Sequence, residues 1–419
     1  MIYDVKDMPP IKKFIGLCVQ MLLSVFVATA LIARICGVNT PAALVGAGVS
    51  TLAYGICTKF KSPMYISNSG AFVAPVLLAL GMGGYSAVAI GGITSALIYT
   101  LFGIIFKYVP VNKIYTLFPK VLIGSVTMVI GFNLMTFIPT YIGETGNTGL
   151  IVALITMVSV AIVSWYTKDS KGSLKMFPFL IGTLVGYLVA IPFGLVDFSV
   201  FTGKILMAPT FAFTQWEKIN LASAAFVALI YALYTISAMM ECLSDHAALG
   251  GVIGKDLYKD PGLTRIFIGE GISNIATSFI GGLGGCSYGE SVGCIGFSRC
   301  ASSWVTLGAA VMMIILGFIA PVQEFIASIP SCVFAGNALI LYGYIALSGV
   351  KQLPIANNGM DSPKNQAIFG AVLGIGISGV LISFMVGNEA IAFGGTALAL
   401  VIGVILNIIL RDEKEVAVQ

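Results

Sequence analysis

The chain has 419 residues, of which 58% are hydrophobic and only 10% charged, against about 25% charged in soluble globular domains, and this excludes a water-soluble enzyme. Its net charge of +4 decides little, because in so apolar a chain the position of the charges matters more than their sum. With roughly 20 apolar residues needed to cross a ~30 Å hydrocarbon layer, the length accommodates a dozen or more helical spans.

The first apolar run, 14–36, is too long for a signal-peptide core and has no small-residue cleavage site after it, so it is read as a true span. Runs at 41–59, 66–82, 84–107, 115–138, 149–166, 176–196, 220–242, 263–283, 288–299, 303–319, 323–348, 365–387 and 390–410 follow, giving an all-α polytopic membrane protein of fourteen transmembrane segments. The third begins with Tyr65-Ile66-Ser67-Asn68-Ser69-Gly70 and the tenth with Gly284-Gly285-Cys286-Ser287-Tyr288-Gly289-Glu290, where a plain span carries Leu and Val. Both are read as half-helices preceded by extended chain. Numbered this way, the spans put all but Arg34, Lys204 and Lys218 of the 22 basic residues on one side, so both termini are expected in the cytoplasm. Seven spans per half makes the halves antiparallel, an inverted 7+7 repeat of residues 1–200 and 215–419, and paired interrupted segments point to a midplane substrate site.

Four carboxylates, Glu241, Asp245, Glu270 and Glu290, lie in or at the ends of apolar segments. An ionisable group at membrane depth costs at least ~2.5 kcal/mol, so it faces a protein-lined cavity and serves a function. Glu241 and Asp245 are four residues apart, hence on one helix face one turn apart, and two such neighbours do not both ionise cheaply, which suits a proton carrier. The competing reading ends the eighth span at 242 and makes the pair a cap on the loop 243–262. Glu270 is read as structural. His246 is read as an interfacial residue, with a proton relay as the alternative. Glu290 stands where the tenth segment turns from extended chain into helix, and the free backbone N–H groups there, as around Gly70 and Ala71, are donors aimed inward. Carboxylate acceptors beside backbone donors match a small planar solute with adjacent N–H and C=O groups and repel an anion.

Other chemistry is excluded by what is missing. Eight scattered Cys without a CxxC pair and a single His give no metal site, and no cofactor is expected; the Cys residues are read as packing groups. The pair Gly254-Lys255 lacks the remainder of a phosphate loop. Neither an intramembrane hydrolase, for want of a nucleophile and base, nor a channel, for want of a filter motif, has residues to support it.

Glu241-Cys242-Leu243-Ser244-Asp245-His246, the stretch 254–263, Ser287-Tyr288-Gly289-Glu290-Ser291-Val292-Gly293, Ser69-Gly70-Ala71-Phe72-Val73-Ala74-Pro75 and Leu341-Tyr342-Gly343 together resemble the nucleobase/ascorbate transporter family, and within it the bacterial uracil:proton symporters. The resemblance implies a core domain of spans 1–4 and 8–11, a gate domain of spans 5–7 and 12–14, and short antiparallel strands in segments three and ten. It further implies an elevator-like movement of core against gate, a homodimer, and proton-coupled uptake of a nucleobase, with no nucleic-acid partner. In it Glu241 and Glu290 bind the base, the backbone at Gly289 and Gly70 and Ala71 adds hydrogen bonds, and Tyr288, Ser291, Tyr342 and Ala28 lie nearby. Glu241, Asp245 and His246 form the proton-coupling group. The chain departs from the family at Gly70, Met21 and Ser291, where an aromatic, a His and an Asn are usual, and Asp245 matches an acidic position shared with purine-type members. Uracil is therefore the first expectation and xanthine the alternative; a sulfate-type anion carrier on the same fold is opposed by the carboxylates.

Overall fold

The computed structural model describes residues 1–108, 116, 119–136, 138–143, 145–167, 178–353, 359–386 and 389–410. Lys113, Lys168, Lys171, Lys175, Arg411 and Lys414, used above to orient the chain, lie outside these residues. The protein is mostly helical. Among the described residues, seven helices are long and apolar enough to cross a membrane, and three shorter apolar helices accompany them.

The chain forms two compact units, Met1–Ile104 with Thr136–Leu341, and Ile105–Met135 with Tyr342–Gln419. The first unit opens with α1 (Ile11–Ile35) and α2 (Thr40–Cys57). Asn39 starts α2, its side chain accepting a hydrogen bond from the Ala42 N–H at 3.0 Å, which satisfies one of the donors that every helix start leaves open. The chain then runs as strand β1 (Ile66–Asn68) and a 3-10 turn at Gly70–Phe72 into α3 (Val73–Tyr108). α3 bends at Gly83–Gly84, where Gly84 takes a φ of 58°, a left-handed conformation that glycine adopts without steric cost. The apolar runs 66–82 and 84–107 divide at this bend.

After α4 (Lys120–Met135), α5 (Ile138–Gly143), α6 (Gly146–Thr167) and α7 (Pro178–Ala190), the second half of the sequence begins with α8 (Leu221–Ile253). It is followed by α9 (Leu263–Gly281), strand β2 (Gly285–Ser287), α10 (Gly289–Ser298), α11 (Ser303–Leu316), α12 (Ala320–Ser328) and α13 (Ser331–Gln352). α8 runs eleven residues past the expected end at 242 and stops at Gly254, whose φ is 72°. The reading of Glu241 and Asp245 as a cap on a loop from 243 is thereby corrected: both lie inside a helix. The run 323–348 is two helices, because Ile329 takes an extended ψ of 120° ahead of Pro330, as a residue before proline prefers.

α2 packs on α9 and α11 at close range. A side chain at Gly48 would put its Cβ 2.6 Å from the Ala310 carbonyl oxygen, so only glycine lets these backbones approach. Seven of the eight cysteines are buried and all are free thiols.

In the second unit α4 is joined by α14 (Pro363–Ile377), strands β3 (Leu381–Val386) and β4 (Glu389–Gly394), and α15 (Gly395–Ile409). β3 and β4 pair antiparallel with Leu381 opposite Gly394. Hydropathy continued the thirteenth span to 387, but the helix ends at Ile377 and the remainder is hairpin. An apolar run by itself does not separate strand from helix; Gly379, with φ of 71°, marks the change.

Candidate substrate site

β1 and β2 meet inside the first unit as a ribbon of three residues each, Ile66 opposite Ser287, Ser67 opposite Cys286 and Asn68 opposite Gly285. So short a pair is not stable alone, and non-helical backbone at membrane depth persists only where protein groups satisfy it. Side chains from two helices do so, and a third helix holds the strand's own side chains. Thr51 of α2 accepts from the Ile66 N–H at 3.0 Å and donates to its carbonyl at 2.7 Å. Asn274 of α9 accepts from the Gly285 N–H at 3.1 Å and donates to the Gly285 carbonyl at 2.7 Å. Thr29 of α1 lies 2.7 Å from the Ser67 hydroxyl, and its carbonyl accepts from the Asn68 amide at 3.2 Å.

The ends of this ribbon carry the acidic groups. Ser69 starts the 3-10 turn: its hydroxyl accepts from the Ala71 N–H at 3.1 Å and donates to Glu241 Oε2 at 3.3 Å. On the other strand Ser287 donates to Asp245 Oδ2 at 3.0 Å, and Gly289 stands so near that a Cβ there would lie 3.5 Å from Asp245 Oδ1. Glu290 falls in the first turn of α10, where a carboxylate complements the helix dipole. Glu241, Asp245 and Glu290 are half-buried and Gly289 is exposed. The ends of the ribbon therefore bring carboxylate oxygens beside two helix starts.

Ala28 and Ala71 are buried in the same unit, and Gly70 is half-buried at the first residue of the 3-10 turn. Tyr288 and Ser291 are also buried, but their hydroxyls are committed to backbone: Tyr288 donates to the Asn68 carbonyl and Ser291 to the Tyr288 carbonyl, each at 2.7 Å. They fasten the strand crossing. Tyr342 is buried in the second unit.

His246 is buried against α2. The ring is 1% exposed, with Nε2 2.6 Å from the Tyr54 hydroxyl of α2 and Nδ1 2.7 Å from the Cys242 carbonyl. A helix that continues through 246 carries the side chain into the α2 contact. Glu270 is fully buried and close to Cys242 and His246. The supports that composition did not reveal, Thr29, Thr51 and Asn274, had one signal in the sequence: Ser273, Asn274, Thr277 and Ser278 form a polar stripe at helical spacing within an apolar span.

The chain is similar to proteins named uracil permease from Bacillus caldolyticus (31% identical over 99% of this chain and 96% of the relative), Paenibacillus larvae (32%; 97% and 96%) and Escherichia coli strain K12 (31%; 97% and 93%). Among solved structures, the transmembrane domain of the cyanobacterial bicarbonate transporter BicA is similar with a TM-score of 0.63 at 16% identity, covering 96% of this chain and 98% of that one. Murine Slc26a9, titled an anion transporter, gives 0.65 at 14%, covering 96% and 69%. At such identities these two share the fold only. A family model described as "Permease family" (Xan_ur_permease) matches residues 12–384. The chain therefore belongs to this permease family, the nucleobase/ascorbate transporters it resembles in sequence, and is an integral protein of the cell membrane and a transporter in place of an enzyme.

Proposed function

We propose that the protein is a secondary active transporter that takes up a neutral nucleobase, uracil foremost, together with a proton. The observation that carries this reading is the grouping of Glu241, Asp245 and Glu290 at the two ends of a short strand ribbon, beside two helix starts. Adjacent acceptors and donors of this kind pair with the N–H and C=O edge of a base, and three acidic groups oppose an anion. Relatives named uracil permease along almost the whole chain support the same substrate.

In this scheme Glu241 and Glu290 hold the N–H edge of the base, and backbone at Gly70 and Gly289 holds the carbonyls, with Ala71, whose N–H bonds the Ser69 hydroxyl, shaping the same turn. Ala28 lies beside the ring, while Tyr288 and Ser291 keep the strands crossed. A proton taken up by the Glu241/Asp245 pair favours binding, and its release to a more alkaline cytoplasm weakens the grip. Fourteen spans in two inverted sevens, cytoplasmic termini, elevator-like motion of a core (spans 1–4 and 8–11) against a gate (spans 5–7 and 12–14), and a homodimer complete the proposal.

The test is uptake of radiolabelled uracil and xanthine into cells lacking their own carriers, with and without a protonophore. Protonophore-sensitive uracil uptake that Glu241→Ala abolishes is expected. Uptake that survives Glu241→Ala overturns the site; xanthine uptake in place of uracil overturns the substrate.

A further inference from the structure

A cavity of about 340 Å³, lined among others by Arg34, Asn39, Thr202, Gln323 and Glu324, opens in the first unit away from the carboxylate cluster. Its volume falls at the lower end of the ~300–1,000 Å³ typical of small-molecule sites. Arg34 closes the last turn of α1 and is exposed. Among the described residues its guanidinium takes no part in an ion pair. In the same lining, buried Glu324 uses one oxygen, Oε1, to accept from both the N–H and the hydroxyl of Thr202, at 3.0 and 2.5 Å. Gln323 spends its amide N–H groups on the Met207 and Gly317 carbonyls, each at 2.7 Å. The lining thus combines a guanidinium with a carboxylate oxygen and an amide oxygen that have capacity to accept. Val38, Pro41 and Ile326 supply apolar wall.

α1 relates this cavity to the strand crossing. Thr29 touches Ser67, and Arg34, five residues on, lies about 7.5 Å further along the helix axis, at the end remote from Lys12 and Lys13. The opposed charges of Arg34 and Glu324 sum to zero, so the cavity favours neither anion nor cation, while donor and acceptor edges with apolar walls suit a flat neutral molecule.

We infer that this cavity is a second, weaker binding site for a neutral planar solute with adjacent N–H and C=O groups, a capture site in line with the central one. The inference rests on the reading of the transported solute as a nucleobase. Its weakness follows from the exposure of Arg34, where water competes for the donors.

Equilibrium binding of radiolabelled uracil to purified full-length protein tests it. The expected result is two classes of site in the wild type, the weaker class persisting in Glu241→Ala. Arg34→Gln is expected to lose the weak class, keep the tight one, and raise the uptake KM about tenfold, the worth of one charge-assisted hydrogen bond, without lowering the maximal rate. Glu324→Gln, which keeps an acceptor for Thr202, is expected to weaken the same class. A single class in the wild type, or a weak class untouched by both substitutions, overturns the capture site while leaving the central reading intact. A weak class sensitive to Arg34→Gln with no tight class sinks the central reading alone, and no uracil bound at all sinks both.

Discussion

Asn274→Leu is the sharpest test of how the strand crossing is held. Asn274 is fully buried in α9 and its amide makes two bonds to one residue, accepting from the Gly285 N–H and donating to the Gly285 carbonyl at 3.1 and 2.7 Å. Leucine keeps the γ-branched shape and has better helix propensity, so the lost hydrogen bonds are the main change, with its larger bulk adding to the cost. Each buried backbone group left without a partner costs about 1–3 kcal/mol, for a total of about 2–6 kcal/mol. At about 2 °C per kcal/mol for a chain above 150 residues, the thermal midpoint of the purified protein is expected to fall by roughly 4–12 °C. Uracil binding should fall with it, because Gly285 lies opposite Asn68, next to Ser69 and its bond to Glu241. Asn274→Asp keeps an acceptor for the Gly285 N–H but loses the donor, and is expected to lie between leucine and wild type. Wild-type melting and binding in Asn274→Leu would refute the argument that side-chain clamps hold this ribbon in place.

Asp245→Asn should shift the pH dependence of uptake and keep most of the binding, since an amide can still accept from Ser287; an unchanged pH profile removes Asp245 from coupling. Tyr54→Phe strips a partner from the buried His246 ring and should cost about 1–3 kcal/mol of stability measured by thermal melting. Its uptake profile with pH should stay that of wild type, because His246 faces α2, and a shifted profile would restore the ring as a proton relay. Lys61→Ala removes the 2.6 Å ion pair to Asp260, both partners being exposed enough that no measurable change in melting is expected at neutral pH. The hydrogen bond from Lys61 holds the Asp260 carboxyl below its ordinary value, so whatever the pair contributes is present above the usual carboxylate range and lost on acidification through the lowered value. A difference between Lys61→Ala and wild type that grew on acidification would contradict that sign.

What was legible in the sequence follows the physics of each signal. Membrane depth imposes long apolar runs, so most helices are readable from hydropathy. The small and polar residues at 65–70 and 284–290 mark the very stretches that form β1 and β2, because a chain without large apolar side chains there has no packing reason to continue a helix. Glu241, Asp245 and Glu290 stand out since carboxylates in apolar runs are costly, and their surroundings bear out that they share one region. The end of α8 was not legible: Glu241, Ser244, Asp245 and His246 make 241–246 look like a loop, yet tertiary partners such as Ser69, Ser287 and Tyr54 absorb these polar groups and the helix runs on to Gly254. The strands β3 and β4 were hidden for the opposite reason, an apolar strand being indistinguishable by hydropathy from a short span.

The fold shared with bicarbonate and anion transporters raises the question of which solute this version suits, and fold by itself does not answer it. A helix start directed at a midplane site carries partial positive charge and would by itself favour an anion. In this chain that charge is met from within: Glu290 occupies the first turn of α10, and Glu241 reaches the 3-10 turn through the Ser69 hydroxyl, which also accepts the Ala71 N–H. An arriving anion would have to displace or outcompete carboxylates already in place, whereas a neutral base with both donors and acceptors on one edge bonds to carboxylate and backbone at once. Converting Glu290 to Lys should therefore do more than weaken nucleobase uptake: it should remove the repulsion and leave a site into which a small anion binds more tightly than into the wild type. Isothermal titration of sulfate or bicarbonate against both proteins measures this, and equal, negligible anion binding in each would show that the carboxylates are not what excludes anions from this fold.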